Sequence, residues 1–167
     1  ANGCVVNPTV EINEPELALG VESIDITNMS CPGDSNGAIS SVAIGGTPPY
    51  TIEWSNGATT SSISDLPAGT YSFTITDTNG CTYTDEATVT EPTPIEIEVA
   101  ASSLSCGGET DGSIDITVTG GSGNYTYLWS FGATEEDLNM LVPGEYGVTV
   151  TDENGCTASA MATIEGP

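Results

Sequence analysis

The chain has no lysine, arginine or histidine among its 167 residues, whereas 24 residues are Asp or Glu. Without cationic side chains it cannot neutralise nucleic-acid phosphates, and an anionic membrane surface repels it. It has no imidazole for base catalysis and no amine for Schiff-base chemistry. Apolar runs of membrane-spanning length are also lacking. We therefore expect a protein that is not an enzyme, has no nucleic-acid partner and does not insert into a membrane.

Small and β-forming residues make up much of the rest, with many Thr and Ser, 20 Gly and 10 Pro. This composition is typical of an all-β protein with many turns. The acidity suits a solvated extracellular surface that repels its neighbours, and it equally suits an adaptation to salt.

An internal repeat dominates the sequence. The segment from Gly37 to Cys81 returns from Gly112 to Cys156 at a constant spacing of 75 residues. We predict two tandem domains of this length, at 16–92 and 93–167. Further pairs keep the spacing: Cys31 and Cys106, Tyr50 and Tyr125, Trp54 and Trp129, Leu66 and Leu141, and Gly69 and Gly144.

The first fifteen residues resemble a third copy of the repeat's ending. Cys4, Cys81 and Cys156 each precede a proline by eleven positions, with apolar residues at alternate positions between them. Alternation predicts a strand with one buried face. We interpret 1–15 as the last strand of a preceding repeat. The competing interpretation keeps Ala1 as a natural terminus whose strand completes a neighbouring molecule's sheet.

Alternation along each repeat predicts about seven short strands packed as an immunoglobulin-like β-sandwich. In the first repeat we place them near 17–27, 37–44, 50–54, 60–65, 70–77 and 81–90, with one more near 56–60. An inward Trp on the third strand fits this fold, and so does a Tyr after a Leu-x-x-Gly corner. The predicted core aromatics are Tyr50, Trp54, Tyr71, Phe73, Tyr125, Trp129 and Tyr146.

These motifs carry a family resemblance. The pattern C-x-G-x-x-x-G, then GG-x-x-PY-x-x-x-W-S-x-G, then L-x-x-G-x-Y and D-x-NGC resembles the repeats of SprB-type gliding-motility adhesins of Bacteroidota. The second repeat departs from it at Asn124 and Phe131. The resemblance implies a very large cell-surface protein exported by the type IX secretion system. It implies an extracellular location and supplies no ligand and no catalytic residue.

Five cysteines in such a chain suggest disulfides in an oxidising compartment. One scheme pairs Cys31 with Cys81 and Cys106 with Cys156, leaving Cys4 for a partner outside this chain. In an immunoglobulin-like sandwich, however, Cys31 and Cys81 lie at opposite ends, too far apart to bridge. The second scheme pairs Cys31 with Cys156, between repeats. The sequence leaves both schemes open.

Acidic turns raise the question of calcium. No cofactor is required by the sequence, but Ca²⁺ favours clustered carboxylate and carbonyl oxygens. The candidate ligands are Asp34, Asn36, Asp77, Glu109, Asp111 and Asp152. The competing interpretation makes DTNG and DENG ordinary hairpin turns.

Three functions fit these observations. The first is a structural stalk whose partners are neighbouring repeats of the same protein. The second is an adhesive module that binds surface glycans, for which Phe131 is the exposed aromatic candidate; packing against a neighbouring domain is its competing interpretation. The third is a self-assembling fibre whose partners are like subunits.

Overall fold

The computed structural model describes residues 17–104 and 110–166. These residues form twelve β-strands and no helix, so no helix long and apolar enough to cross a membrane occurs among them. The first repeat contains β1 (Gly20–Thr27), β2 (Gly37–Ile44), β3 (Thr51–Trp54), β4 (Ser62–Leu66), β5 (Gly69–Thr76) and β6 (Thr82–Val89). The second contains β7 (Glu96–Ser102), β8 (Gly112–Thr119), β9 (Thr126–Trp129), β10 (Leu138–Leu141), β11 (Gly144–Thr151) and β12 (Thr157–Ile164).

Each repeat builds two three-stranded sheets with the same strand order. The orders are β1-β2-β4 and β3-β5-β6 in the first repeat, and β7-β8-β10 and β9-β11-β12 in the second. The first, second and fifth strands of an immunoglobulin domain share one sheet, and the third, sixth and seventh share the other. The repeats reproduce this arrangement without the fourth strand. The predicted all-β, immunoglobulin-like class is therefore confirmed.

The extra strand predicted near 56–60 is wrong. The chain turns there: Gly57 N–H donates to the Trp54 carbonyl at 2.8 Å, and Trp54 N–H donates to the Ala58 carbonyl at 2.9 Å. Asn56 closes the turn by accepting a hydrogen bond from Ala58 N–H at 3.1 Å. Gly57 has a positive φ of 85°, which glycine adopts without steric cost. Each repeat consequently has six strands in the described part of the chain.

Alternation in the sequence is reproduced as alternation in burial. On β5, Phe73 and Ile75 are each 1% exposed, whereas Ser72 is exposed and Thr74 is half-buried. Trp54 pairs with Phe73 across β3 and β5, and their ring centroids are 4.7 Å apart. In the second repeat the core comprises Ile114, Ile116, Trp129, Leu138, Leu141, Val148, Val150, Ala162 and Ile164.

The tyrosines predicted in the core are only half-buried, because each ring must keep its hydroxyl hydrogen-bonded. Tyr50 donates to the Gly45 carbonyl at 2.6 Å, and Tyr125 donates to the Gly120 carbonyl. Tyr146 donates to the Val142 carbonyl four residues upstream at 2.8 Å, which is the geometry of a tyrosine corner. Tyr71 is also half-buried.

The chain divides into two compact units that do not follow the repeat boundary. The first comprises the described residues of Ala1–Ile26 with Ile39–Ile63 and Thr70–Thr88. The second comprises Thr27–Ala38, Ser64–Gly69 and the described residues of Val89–Pro167. The domain limits at 16–92 and 93–167 stay a prediction. The predicted strand at 1–15 lies outside the described residues.

Candidate functional site

A disulfide joins Cys31 to Cys156 across 125 residues of sequence. Cys31 lies in the loop between β1 and β2, and Cys156 directly precedes β12. The two Cα atoms are 5.4 Å apart, within the usual range for a disulfide. Both cysteines lie in the second compact unit. By sequence, however, they belong to different repeats.

Of the two pairings that the sequence leaves open, the structure contains the one between repeats. The pairing of Cys31 with Cys81 inside the first repeat is not formed. Cys81 is instead an exposed free thiol. Cys4 and Cys106 lie outside the described residues. The spacing alone could not decide between these partners, because Cys31 and Cys106 are separated by 75 residues, as are Cys81 and Cys156.

Hydrogen bonds hold the loop that carries Cys31. Asn36 Oδ1 accepts from Ser30 N–H at 3.1 Å, and Asp34 N–H donates to the Cys31 carbonyl at 3.2 Å. Gly33 N–H donates to Glu91 Oε2 at 3.3 Å, which ties the loop to the segment after β6. The loop is therefore positioned by its own polar residues, including two that we considered as calcium ligands.

Asp77 and Asp152 occupy equivalent turns before the last strand of each repeat. Asp77 Oδ1 accepts from the N–H groups of Asn79 at 2.9 Å and Cys81 at 2.8 Å, and its Oδ2 accepts from Thr47 N–H at 3.0 Å. Asp152 is bonded in the same way, through its Oδ1 and Oδ2, to Asn154, Cys156 and Ser122. Each buried carboxylate thus shapes the turn that presents a cysteine.

Backbone donors also set the charge state of Asp77. Burial by itself raises the pKa of the carboxyl, but four backbone hydrogen bonds, from Cys81 first, lower it more. The pKa of Asp77 therefore lies below its ordinary value of 3.8. The carboxylate is ionised at neutral pH, and its bonds to the turn are charge-assisted.

The calcium candidates do not meet as a cluster where the structure describes them. No group of three His, Cys, Asp or Glu side chains that could hold a metal occurs within 17–104 and 110–166. Asp34 and Asn36 hydrogen-bond to each other, with Asn36 Nδ2 donating to Asp34 Oδ2 at 3.3 Å. Asp111 is described, but Glu109 lies outside the described residues.

Two tyrosines bond directly to carboxylates. Tyr127 donates to Glu136 Oε1 at 2.9 Å, and burial together with this bond raises the pKa of Tyr127 to about 12. Tyr83 donates to Asp85 Oδ2 at 3.0 Å, and this bond, with burial, raises the pKa of Tyr83 above its ordinary value. Both side chains remain neutral hydrogen-bond donors at physiological pH.

The outer face of the β9-β11-β12 sheet is apolar where the first repeat is acidic. We call Leu128, Gly147 and Met161 the apolar strip; Gly147 lies opposite Met161 on the paired strands. Leu128 is 58% exposed and Met161 is 65% exposed. With neighbouring residues, the strip lines an open groove of about 600 Å³. The sequence interpretation missed it, although comparison at the repeat spacing shows Glu53, Ser72 and Glu86 at the equivalent positions.

Phe131 lies in the turn after β9. It is 58% exposed and contacts the Tyr146 ring edge-on, with centroids 5.9 Å apart and an interplanar angle of 84°. The ring therefore packs within its own repeat while most of its surface faces solvent. The first repeat has Asn56 in this turn, where it serves as a hydrogen-bond acceptor.

Comparison with known families gives a match in both repeats. Residues 23–59 and 99–134 match the SprB repeat. No curated protein sequence matches the chain.

Among solved structures, the chain is similar to immunoglobulin-domain proteins at low identity. A structure of Down syndrome cell adhesion molecule (DSCAM) isoform 1.30.30, with the N-terminal eight Ig domains, is 13% identical with a TM-score of 0.44. That match covers 87% of this chain and 24% of the other. A C-terminal 282-residue intimin fragment, in complex with the intimin-binding domain of its translocated receptor, is 13% identical with a TM-score of 0.41. It covers 87% of this chain and 64% of the other, so the chain spans less than two thirds of either structure.

Proposed function

Because the chain carries two SprB repeats, we propose that it is a non-catalytic stalk segment of a large extracellular adhesin, of the kind that serves gliding motility. The family and the disulfide both support a cell-surface location, since disulfides persist in oxidising compartments. The acidic composition adds support, because like charges keep a crowded surface protein solvated.

The observation that carries this proposal is the covalent bond between Cys31 and Cys156. A force that pulls on the chain before Cys31 and after Cys156 passes through the S–S bond. The ten strands from β2 to β11 lie inside the closed loop and are bypassed. Only the residues before Cys31 and after Cys156, which include β1 and β12, can lengthen under tension. Such a segment keeps its reach even when its sandwiches unfold, which is the property that a stalk needs.

Pulling single molecules from both ends tests the stalk. A fully extended residue spans at most about 3.5 Å, so the 125-residue interval adds about 40 nm of contour length only when the bond is open. We expect this extra length after reduction and not before. The Cys31→Ser/Cys156→Ser variant should show the long extension without reductant. Equal contour lengths with and without reductant would contradict the proposal.

A second candidate function is adhesion through the second repeat, and the apolar strip together with Phe131 favours it. Apolar side chains that line a groove are typical of binding sites, and Phe131 adds an exposed aromatic ring in the turn after β9; the first repeat has neither at the equivalent positions. Surface glycans are the partner that we expect for this candidate.

A glycan array tests the adhesive candidate. Binding by the native chain that disappears in Phe131→Asn, which restores the residue of the first repeat, would support it. The matched control is Asn56→Phe, which places the ring in the first repeat without the apolar strip and should bind nothing further. Silence of the native chain across the array would remove this candidate and leave the stalk.

A further inference from the structure

Cys81 occupies the same place in the first repeat that Cys156 occupies in the second. Its N–H donates to Asp77 Oδ1 at 2.8 Å, and Cys156 N–H donates to Asp152 Oδ1 at 2.9 Å. The cysteine carbonyls accept from Asp77 and Asp152 N–H, both at 3.0 Å. The backbone therefore presents the two sulfur atoms in the same way.

The two cysteines differ in their bonding and in their burial. Cys156 is 6% exposed and bonded to Cys31, whereas Cys81 is exposed and free. The loop that carries Cys31 lies beside Cys156: Cys31 and Pro32 line a small cavity together with Cys156, Pro94 and Ile95.

The apolar surface beside Cys156 has a counterpart beside Cys81. A Cβ atom on Gly121 would lie 2.8 Å from Ile95, and one on Gly46 would lie 3.2 Å from Leu19. Leu19 therefore takes the place of Ile95. Ala18, at the position of Pro94, is exposed. Pro94 is exposed as well, so the apolar residues that line the cavity beside Cys156 have equivalents beside Cys81 in the first repeat.

The sequence also contains a second copy of the motif that carries Cys31, the cysteine bonded to Cys156. Cys106 stands 75 residues after Cys31 and shares with it a glycine two positions later, an acidic residue three positions later and a glycine six positions later. Cys81 and Cys106 are thus the sequence equivalents of Cys156 and Cys31, the two cysteines that bond to each other.

We propose that Cys81 is the attachment site for the cysteine loop of another repeat, and that a second copy of this chain supplies that loop through its Cys106. The bond repeats the Cys31–Cys156 connection head to tail. Each such disulfide joins one repeat to the next. Every repeat inside an array would therefore be covalently bonded to both of its neighbours. The inference rests on the proposed stalk function and extends it from two repeats to a continuous series.

The chemistry requires an electron acceptor, and oxidised glutathione serves. The Cys106 thiolate attacks glutathione disulfide, giving a mixed disulfide and one glutathione thiolate. The Cys81 thiolate then attacks the Cys106 sulfur of this mixed disulfide and displaces the second glutathione. Two protein thiols and one glutathione disulfide become one protein disulfide and two reduced glutathione molecules.

The test uses two full-length variants that each keep a single unpaired cysteine besides the Cys31–Cys156 bond. Cys4→Ser/Cys106→Ser retains Cys81, and Cys4→Ser/Cys81→Ser retains Cys106. One variant is labelled with ¹⁵N so that the covalent dimers differ in mass. An equimolar mixture is incubated in a glutathione redox buffer and analysed by intact-mass spectrometry.

Random pairing gives as many mixed dimers as both like dimers together. We expect mixed dimers to exceed like dimers several-fold, and we expect this excess to vanish in guanidinium chloride, where the presenting turns are unfolded. A random ratio in the native mixture, or no dimer at all, would overturn the inference. Neither result would change the contour-length difference of about 40 nm expected on opening Cys31–Cys156, so the stalk proposal is tested separately.

Discussion

On the outer face of the β3-β5-β6 sheet the first repeat carries Glu53 and Glu86, whereas the second carries Leu128 and Met161 at the same positions. Inside the sandwiches the two copies agree: Trp54 and Trp129 are each 2% exposed. Packing restricts the inner positions to apolar side chains of suitable shape, and the outer positions escape this restriction. The two repeats therefore share the same core, and a functional difference between them would have to come from the residues on their outer faces.

The two repeats also differ in the bonding of their equivalent cysteines, Cys81 and Cys156. Asp77 and Asp152 build equivalent turns, yet only the second turn holds a bonded cysteine. The geometry of the turn therefore does not by itself determine whether its cysteine is bonded.

Removing the disulfide should have the largest effect. In the chain-entropy model, closing a loop of 125 residues stabilises the folded state by about 5 kcal/mol. We expect Cys31→Ser/Cys156→Ser to lose about this much free energy of unfolding in guanidinium denaturation. The matched control is Cys81→Ser, which removes an exposed free thiol and should change stability little. Equal losses in the two variants would mean that the equivalent cysteines have equal roles, contrary to the structure.

Truncating the core Trp should affect both repeats alike. Trp54 and Trp129 are equally buried, and each donates its indole N–H to a carbonyl six residues later, at 2.9 and 2.8 Å. We expect Trp54→Ala and Trp129→Ala each to cost about 4 kcal/mol, measured by denaturant unfolding. A negligible loss of unfolding free energy in one variant would contradict the equivalence of the two cores, because it would show that this repeat does not depend on its own core.

Acid should reduce the stabilisation that ionised Asp77 gives to the turn before β6, with a smaller effect on stability than either change above. Because the folded-state pKa of Asp77 is lowered, its ionised form stabilises the fold above the ordinary value of 3.8, and this contribution fades as the pH falls through the folded pKa. We expect Asp77→Asn to melt below the native chain at pH 7 and the gap to narrow below pH 3.8. A gap that stays constant with pH would show that the charge of Asp77 does not hold the turn.

The strands could be predicted because alternation and repetition reinforce each other. The prediction for β5 at 70–77 differs from the observed Gly69–Thr76 by one residue at each end. β1 begins at Gly20, three residues later than predicted. The error at 56–60 arose where Asn56 and Gly57 interrupt the alternation, since the Asn side chain closes a turn that a pattern of polar residues does not distinguish from an edge strand.

The site was less predictable, for physical reasons. Pairing of Cys31 with Cys156 depends on distances between residues 125 positions apart, which no local pattern records. The first strands also depart from strict repetition. Gly46 N–H donates to the Leu17 carbonyl and Gly121 N–H to the Thr93 carbonyl, so the donors differ by 75 positions and the acceptors by 76. The apolar strip was missed because an exposed Leu or Met breaks no folding rule.

A covalent bond between Cys31 and Cys156 connects the two repeats, and disulfide mapping can verify this bond in the purified protein. The oxidised monomeric chain is alkylated and digested with pepsin at acid pH, where disulfides do not exchange, and the peptides are identified by mass spectrometry. We expect a linked peptide pair that contains Cys31 and Cys156, with Cys81 alkylated. A linked pair that contains Cys31 and Cys81 would contradict it.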